Sequence, residues 1–267
     1  LQGTFGYELI EHRLDHFHET LLERIDKLET VLLGLMQIQI TNTRMILDNQ
    51  SIQTIKSCKE PSTSGLFLMQ NSKHKVYCET DSLDGGWLVV QQRVDQKLNF
   101  NRSWTEYRNG FGTVGKGYDF WLGLEAIHQI TKDGACELAV EMKNRTGFYE
   151  YARYSHFGVA READKYRLTI GGYSGSAKDQ FSFHNNATFS TFDRDNDGDI
   201  INCAEKYSSG WWIDECLERT FPFYMWHDTY SSKTVQSNLN YPGGGRWTDK
   251  LSDKYRLSYS RMMIRCG

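Results

Sequence analysis

Apolar residues in the first part of the chain recur at alternating spacings of four and three: Ile10, Leu14, Phe17, Leu21, Leu28, Val31, Leu35, Ile38, Met45 and Ile52. Arg24, Asn42 and Asn49 are the polar members of the same series. Written as heptads, Leu14, Leu21, Leu28, Leu35, Asn42 and Asn49 occupy a, while Ile10, Phe17, Arg24, Val31, Ile38, Met45 and Ile52 occupy d. No proline interrupts residues 1–56, and Gly34 is the only glycine after the first turn. A 3.5-residue period sustained this long predicts a helix that supercoils left-handedly with other helices, because only supercoiling keeps the apolar seam facing a partner. Residues 1–56 therefore read as a coiled-coil stalk that drives homo-oligomerisation. Leu at a with β-branched residues at several d positions favours three or more strands, whereas Asn at a is a register device found in dimers. The two signals oppose each other and leave the strand number open.

At Ser57 the heptads give way to sequence rich in Gly, Ser, Trp and Tyr. Leu66–Met69, Val76–Cys78, Trp87–Gln91, Leu138–Met142 and Tyr166–Ile170 read as short strands. Ser103–Asn109 and Glu125–Ile130 read as short helices. Residues 57–267 thus form one α+β domain, within the usual single-domain size range.

Charge narrows the partners. The stalk holds 5 Lys/Arg against 8 Asp/Glu, and the remainder holds 26 of each. A balanced domain lacks the basic footprint of a nucleic-acid or membrane-surface binder. The longest apolar run, near Val31–Met36, falls far short of the ~18 residues of a membrane span. No basic segment followed by an apolar stretch opens the chain at Leu1, so a signal peptide has been removed or the chain is a fragment. The six cysteines, at 58, 78, 136, 203, 216 and 266, include no Cys-x-x-Cys pair. An even number without zinc spacing predicts disulfides in an oxidising, extracellular compartment. Four glycosylation sequons, at Asn49, Asn101, Asn144 and Asn186, fit that compartment.

Three runs carry a resemblance. The first is Val76-Tyr77-Cys78-Glu79-Thr80-Asp81 followed by Asp84-Gly85-Gly86-Trp87. The second is Asp119-Phe120-Trp121-Leu122-Gly123-Leu124-Glu125. The third is Phe189-Ser190-Thr191-Phe192-Asp193-Arg194-Asp195-Asn196-Asp197, then Asn202-Cys203-Ala204 and Gly210-Trp211-Trp212 before Cys216. In this order they resemble the fibrinogen C-terminal domain, shared by ficolins, tachylectins, angiopoietins, tenascins and invertebrate fibrinogen-related proteins. The resemblance spans Ser57 to Gly267. It implies the disulfides Cys58–Cys78 and Cys203–Cys216. Cys136 and Cys266 have no partner in the common family pattern. Both fall on strands that the resemblance assigns to the central sheet, which allows a Cys136–Cys266 bridge, with an interchain bond as the alternative. Trp87, Trp104, Trp121, Trp211, Trp212 and Trp247 fall within motifs of that family and read as core.

Asp193, Asp195, Asp197 and Asp199 alternate with other residues around Gly198. Hard oxygen donors this dense suit Ca²⁺. The start matches an EF-hand, but position 12 is Ala204 and Cys203 stands where the exit helix would begin. The fibrinogen-like site fits instead. The resemblance implies that the carboxylates of Asp195 and Asp197 and the backbone carbonyls of Asp199 and Ile201 hold the ion, with Asp193 either supporting those ligands from behind or capping the turn. It also implies a ligand pocket at Tyr207, Glu215, Cys216, Leu217 and Tyr241. In lectin members the pair corresponding to Glu215-Cys216 is a cis peptide that turns the cysteine N–H toward an acetyl oxygen. Here Leu217 stands where histidine is usual, which predicts weak binding of acetylated sugars or a more apolar ligand.

The run Gly110-Phe111-Gly112-Thr113-Val114-Gly115 matches a dinucleotide fingerprint without its strand–turn–helix context and reads as a structural loop. Ser174 is one residue short of a nucleophile elbow and has no histidine and carboxylate placed to serve it. The expectation is a non-enzymatic, secreted, calcium-dependent lectin for acetylated or other carbohydrate groups on microbial surfaces. A protein-binding ligand or matrix module, docking a receptor instead of a sugar, is the alternative.

Overall fold

The computed structural model describes residues 3–70, 72, 74–95, 97–216, 239–240 and 257–267. Contacts divide the chain into two units, Leu1–Ile52 and Gln53–Gly267.

The first unit is one helix, α1 (Gly3–Ser51), whose described side chains from His12 to Thr43 are all exposed. The helical pattern in the sequence runs to residue 56, but the helix stops at Ser51. Thr54–Ile55 instead forms β1, pairing in parallel with Leu68 and Met69, and Ile55 is buried. Burying that isoleucine in the sheet edge outweighs one more turn of exposed helix.

In the second unit the chain continues through β2 (Gly65–Met69), β3 (Lys75–Glu79), β4 (Trp87–Arg93), α2 (Trp104–Asn109), β5 (Phe111–Gly112), β6 (Phe120–Trp121) and α3 (Leu124–Thr131). Then come β7 (Cys136–Asn144), β8 (Tyr149–Val159), β9 (Leu168–Gly175), β10 (Thr188–Ser190), α4 (Cys203–Lys206), β11 (Trp211–Ile213) and β12 (Leu257–Cys266). The main sheet runs β1-β2-β3-β4-β12-β7-β8-β9, with β6 also on β4 and β5 on β6; β10 and β11 form a separate pair. The predicted strand at Tyr166 starts later, at Leu168, because Tyr166 has a left-handed backbone (φ 48°).

Every residue of β4 is buried, as its unbroken apolar start predicts for a strand covered on both faces. Leu88 and Val90 join the main core, while Trp87 and Val89 pack with Tyr77, Phe120, Ala139 and Met263. Helix α2 begins with a capping box between Ser103 and Glu106. The main core is aromatic: Phe189 lies 5.1 Å from Tyr107, 6.0 Å from Trp121 and 5.1 Å from Trp212, ring centre to centre. The indole N–H groups of Trp121 and Trp212 donate to the carbonyls of Tyr107 and Tyr166, so burial strands neither polar handle. Trp87, Trp104, Trp121, Trp211 and Trp212 are all buried; Trp247 lies outside the described residues. Gly110 caps α2 at φ 89°, and a Cβ there would sit 2.4 Å from the Leu122 carbonyl oxygen, so this glycine loop holds β5 against β6.

Candidate metal centre and ligand-binding site

β10 and β11 present the acidic segment between them at one edge of the aromatic core. Phe189 and Trp212 pair across the two strands, and both are fully buried. Between these anchors the chain folds on its own side chains. Asp195 accepts the Asp197 N–H at 3.2 Å, and Asp197 accepts the Asp199 N–H at 3.0 Å. Asp199 accepts the Ile200 N–H at 2.7 Å. Alternating aspartates therefore build consecutive side-chain turns, a structural use of the alternation beside any ligand role.

Longer contacts tie the segment to the disulfide that closes it. Asp197 also accepts the Cys203 N–H at 2.9 Å, and Asp199 accepts the Cys216 N–H at 3.1 Å. The Gly198 N–H donates to the Asp214 carbonyl at 2.6 Å; a Cβ at 198 would lie 2.9 Å from that oxygen, so close approach explains the glycine. Asn202 donates to the Thr191 and Phe192 carbonyls and caps α4 by accepting the Glu205 N–H. Asp193 faces away from this network. It accepts the Trp104 N–H at 2.8 Å and the Thr191 hydroxyl at 2.7 Å, fastening the segment to the start of α2. Arg194 stacks over Trp104 at 3.9 Å and pairs with Glu162.

Burial pushes the Asp197 carboxyl above the usual range, and the carboxylates of Asp195 and Asp199 push it further, against the N–H groups of Cys203 and Asp199. Asp197 and Asp199 are half-buried and Asp195 is exposed, and carboxylates this close repel one another, which fits a hard divalent cation. The Ile201 carbonyl oxygen lies 3.8 Å from each sulfur of the Cys203–Cys216 bond, and paired sulfurs have no proton to give it. Asp199 groups with those same two sulfurs, but paired sulfurs are not thiolate donors, so zinc chemistry finds no ligands there.

The three disulfides join Cys58 to Cys78, Cys203 to Cys216 and Cys136 to Cys266, and no cysteine is free. Cys136 and Cys266 are directly paired positions of β7 and β12, so the bond is within the chain. Of the expected ligand pocket, Tyr207 caps the end of α4 and packs half-buried against the core, Glu215 is exposed, and Cys216 is buried. Leu217 and Tyr241 lie outside the described residues. The Glu215–Cys216 peptide is trans, like every peptide bond among the described residues, contrary to the lectin-like expectation. A non-proline cis bond costs ~2.5–4 kcal/mol, and the trans bond lets the Cys216 N–H serve Asp199. Sequence reasoning missed Asp214 and the reach of the Asp199 carboxylate to Cys216; the Asp-Glu-Cys run was the signal available. Asn101 and Asn186 are exposed, Asn144 is half-buried, and the Asn49 side chain lies outside the described residues.

An acidic loop locked by a disulfide on an aromatic core has the make-up of a recognition module. The chain belongs to the fibrinogen C-terminal domain family: the model of the "fibrinogen beta and gamma chains, C-terminal globular domain" matches residues 52–267. Members of this family are binding proteins, not enzymes. The chain is 42% identical to fibrinogen-like protein A of Apostichopus parvimensis over 170 residues, covering 61% of this chain and 60% of that protein. It is 37% identical to human angiopoietin-4 over 223 residues, covering 80% of this chain and 42% of that protein. The chain thus spans about half the length of these relatives. Lamprey fibrin D-dimer, solved with the peptide Gly-His-Arg-Pro-amide, superposes with a TM-score of 0.64 at 26% identity, covering 98% of this chain and 93% of that one. No described helix is long and apolar enough to cross a membrane.

Proposed function

We propose that this chain is a secreted, calcium-binding recognition protein whose heads are displayed together by the α1 stalk. Asp195 and Asp197 hold the ion by their carboxylates, and Asp199 and Ile201 by their carbonyls. The ion neutralises the crowded aspartates and stiffens the loop around Cys216, beside which the ligand sits. The ligand class is an acetylated or other carbohydrate on a microbial surface, read by Tyr207, Glu215, Cys216, Leu217 and Tyr241. Linked heads gain ~10²–10⁴ in effective affinity over a single weak site. Asn49, Asn101, Asn144 and Asn186 are the proposed glycan attachment points. The observation that carries this reading is the aspartate segment itself, bonded through Asp197 and Asp199 to both ends of one disulfide.

Thermal melts in calcium and in chelator test the ion, and a glycan array under both conditions tests the ligand. Calcium should raise the melting temperature by several degrees, and Asp197→Ala should abolish the rise; equal melts would sink the calcium site. One observation favours a second reading, a protein or peptide ligand. The Cys216 N–H is held by Asp199 and is not free for an acetyl oxygen. A calcium-independent array with no sugar bound, alongside capture of a protein receptor, would establish that reading instead.

A further inference from the structure

A concavity of about 660 Å³ shares no residue with the aspartate loop. It is lined by Lys56–Cys58, by Met69, Ser72 and His74, and by Gln129, Ile130, Lys132 and Asp133 at the end of α3. Leu88 of β4 and Ile264 of β12, both buried, form the floor. The disulfides Cys58–Cys78 and Cys136–Cys266 border it on two sides and hold the walls in place, so a ligand would meet a preformed groove. Its size is typical of small-ligand sites.

The charge of this groove is one-sided, although the domain as a whole is balanced. Among the described residues, Lys56, Lys132 and Arg265 line it against one carboxylate, Asp133. Arg265 is committed: it donates to Glu137 at 2.7 Å and to the Gly85 carbonyl at 2.8 Å, and lies over Trp87 at 4.3 Å. The two lysines are not. Lys56 makes no ion pair among the described residues, and nearby Glu60 is turned onto the backbone N–H groups of Lys56 and Ser57. Lys132 reaches Asp133 only at 4.0 Å in an exposed pair, which is worth little. Ser57 and Ser72 add hydroxyl groups to the lining, and Gln129 adds an amide that also donates to Glu125 at 2.8 Å.

We propose that this groove binds a small acidic saccharide, one carrying a sulfate or carboxylate. Lys56 and Lys132 meet the anion, the hydroxyl and amide side chains meet the sugar hydroxyls, and Leu88 and Ile264 meet the apolar face of the ring. A neutral sugar would leave the two ammonium groups unused, and an apolar ligand would strand the hydroxyls. No aspartate of the loop takes part, so binding needs no calcium.

Titration of the full chain with galactose 6-sulfate, galactose and inorganic sulfate, each in calcium and in chelator, tests the proposal. Galactose 6-sulfate should bind equally in both conditions and weaken with salt, and galactose and sulfate should each bind roughly tenfold more weakly or worse. Lys56→Glu with Lys132→Glu should weaken galactose 6-sulfate by at least about tenfold while leaving the calcium melt shift intact, and the Gln pair should do so by less. The proposal is overturned if galactose 6-sulfate does not bind, if galactose or sulfate alone binds as well, or if the charge-reversed chain binds undiminished. It is equally overturned if chelator or Asp197→Ala removes binding, since the sugar would then sit at the aspartate loop. Failure of the calcium melt shift alone would leave this groove standing and remove only the proposed ion site.

Discussion

In α1, Leu14, Leu28 and Leu35 leave 59%, 69% and 59% of their surface exposed, whereas Trp121, Phe189 and Trp212 of the globular unit are exposed by 1% or less. Both regions carry large apolar side chains at regular positions, and they differ in where the covering atoms come from. The domain supplies its own, because strands from distant parts of the chain fold back over the aromatic cluster. A single helix cannot fold back over its own seam. Each uncovered leucine forgoes roughly 1.5–3 kcal/mol of burial, so covering the seam with other helices is favourable, and on the proposed reading these are further copies of this chain. Ile25 and Leu32, also exposed, sit beside the d positions and widen the stripe. The proposed self-association thus rests on the stalk, and the stability of the head on its own core.

That contrast breaks most completely in the stalk. Light scattering on the full chain should give an oligomer at micromolar concentration, and Leu21→Asp with Leu28→Asp should give a monomer whose head still folds. A monomeric wild type would refute the stalk reading. A head-only chain should begin at Gln53, since a cut after residue 56 would strip β1 from the sheet. The next largest effect is in the core. Trp212→Ala should cost the head ~3–5 kcal/mol in a denaturant melt while leaving self-association unchanged. A loss under ~1 kcal/mol would show that the cluster does not carry the head's stability.

The smallest effect concerns His184, fully enclosed beside Phe181 with one ring nitrogen unpartnered. Burial pushes this imidazole down to about 4, against the lift from its hydrogen bond to the Trp212 backbone. Its folded value lies below the unfolded ~6.5, so between these values the unfolded chain binds more protons than the folded one. Stability should therefore fall by about 3 kcal/mol as pH drops from ~6.5 to ~4. His184→Gln should flatten that part of the profile, and an unchanged slope would show that another group titrates there.

Much of this was legible in the residues. Heptads report a helix because the 3.5-residue period is local, and Ser103 with Glu106 marked the start of α2 for the same reason. The aspartate ladder was visible because ligand type and spacing sit within a few residues. Strand β8 was not, since its buried and exposed positions alternate irregularly. Nor was the buried cluster in which Arg261 of β12 bonds Glu79 of β3 and Glu141 of β7, three residues with no shared sequence signal.

The sequence by itself determined the two-part organisation, the family motifs, the acidic loop and the even set of cysteines. Only the tertiary structure decided the partner of Cys136, the use of the Cys216 N–H by Asp199, and the groove that Lys56 and Lys132 both line. Period, charge and ligand type are properties of neighbouring residues. Cys136 and Cys266, 130 positions apart, come together only because burying the apolar faces of β7 and β12 sets their register.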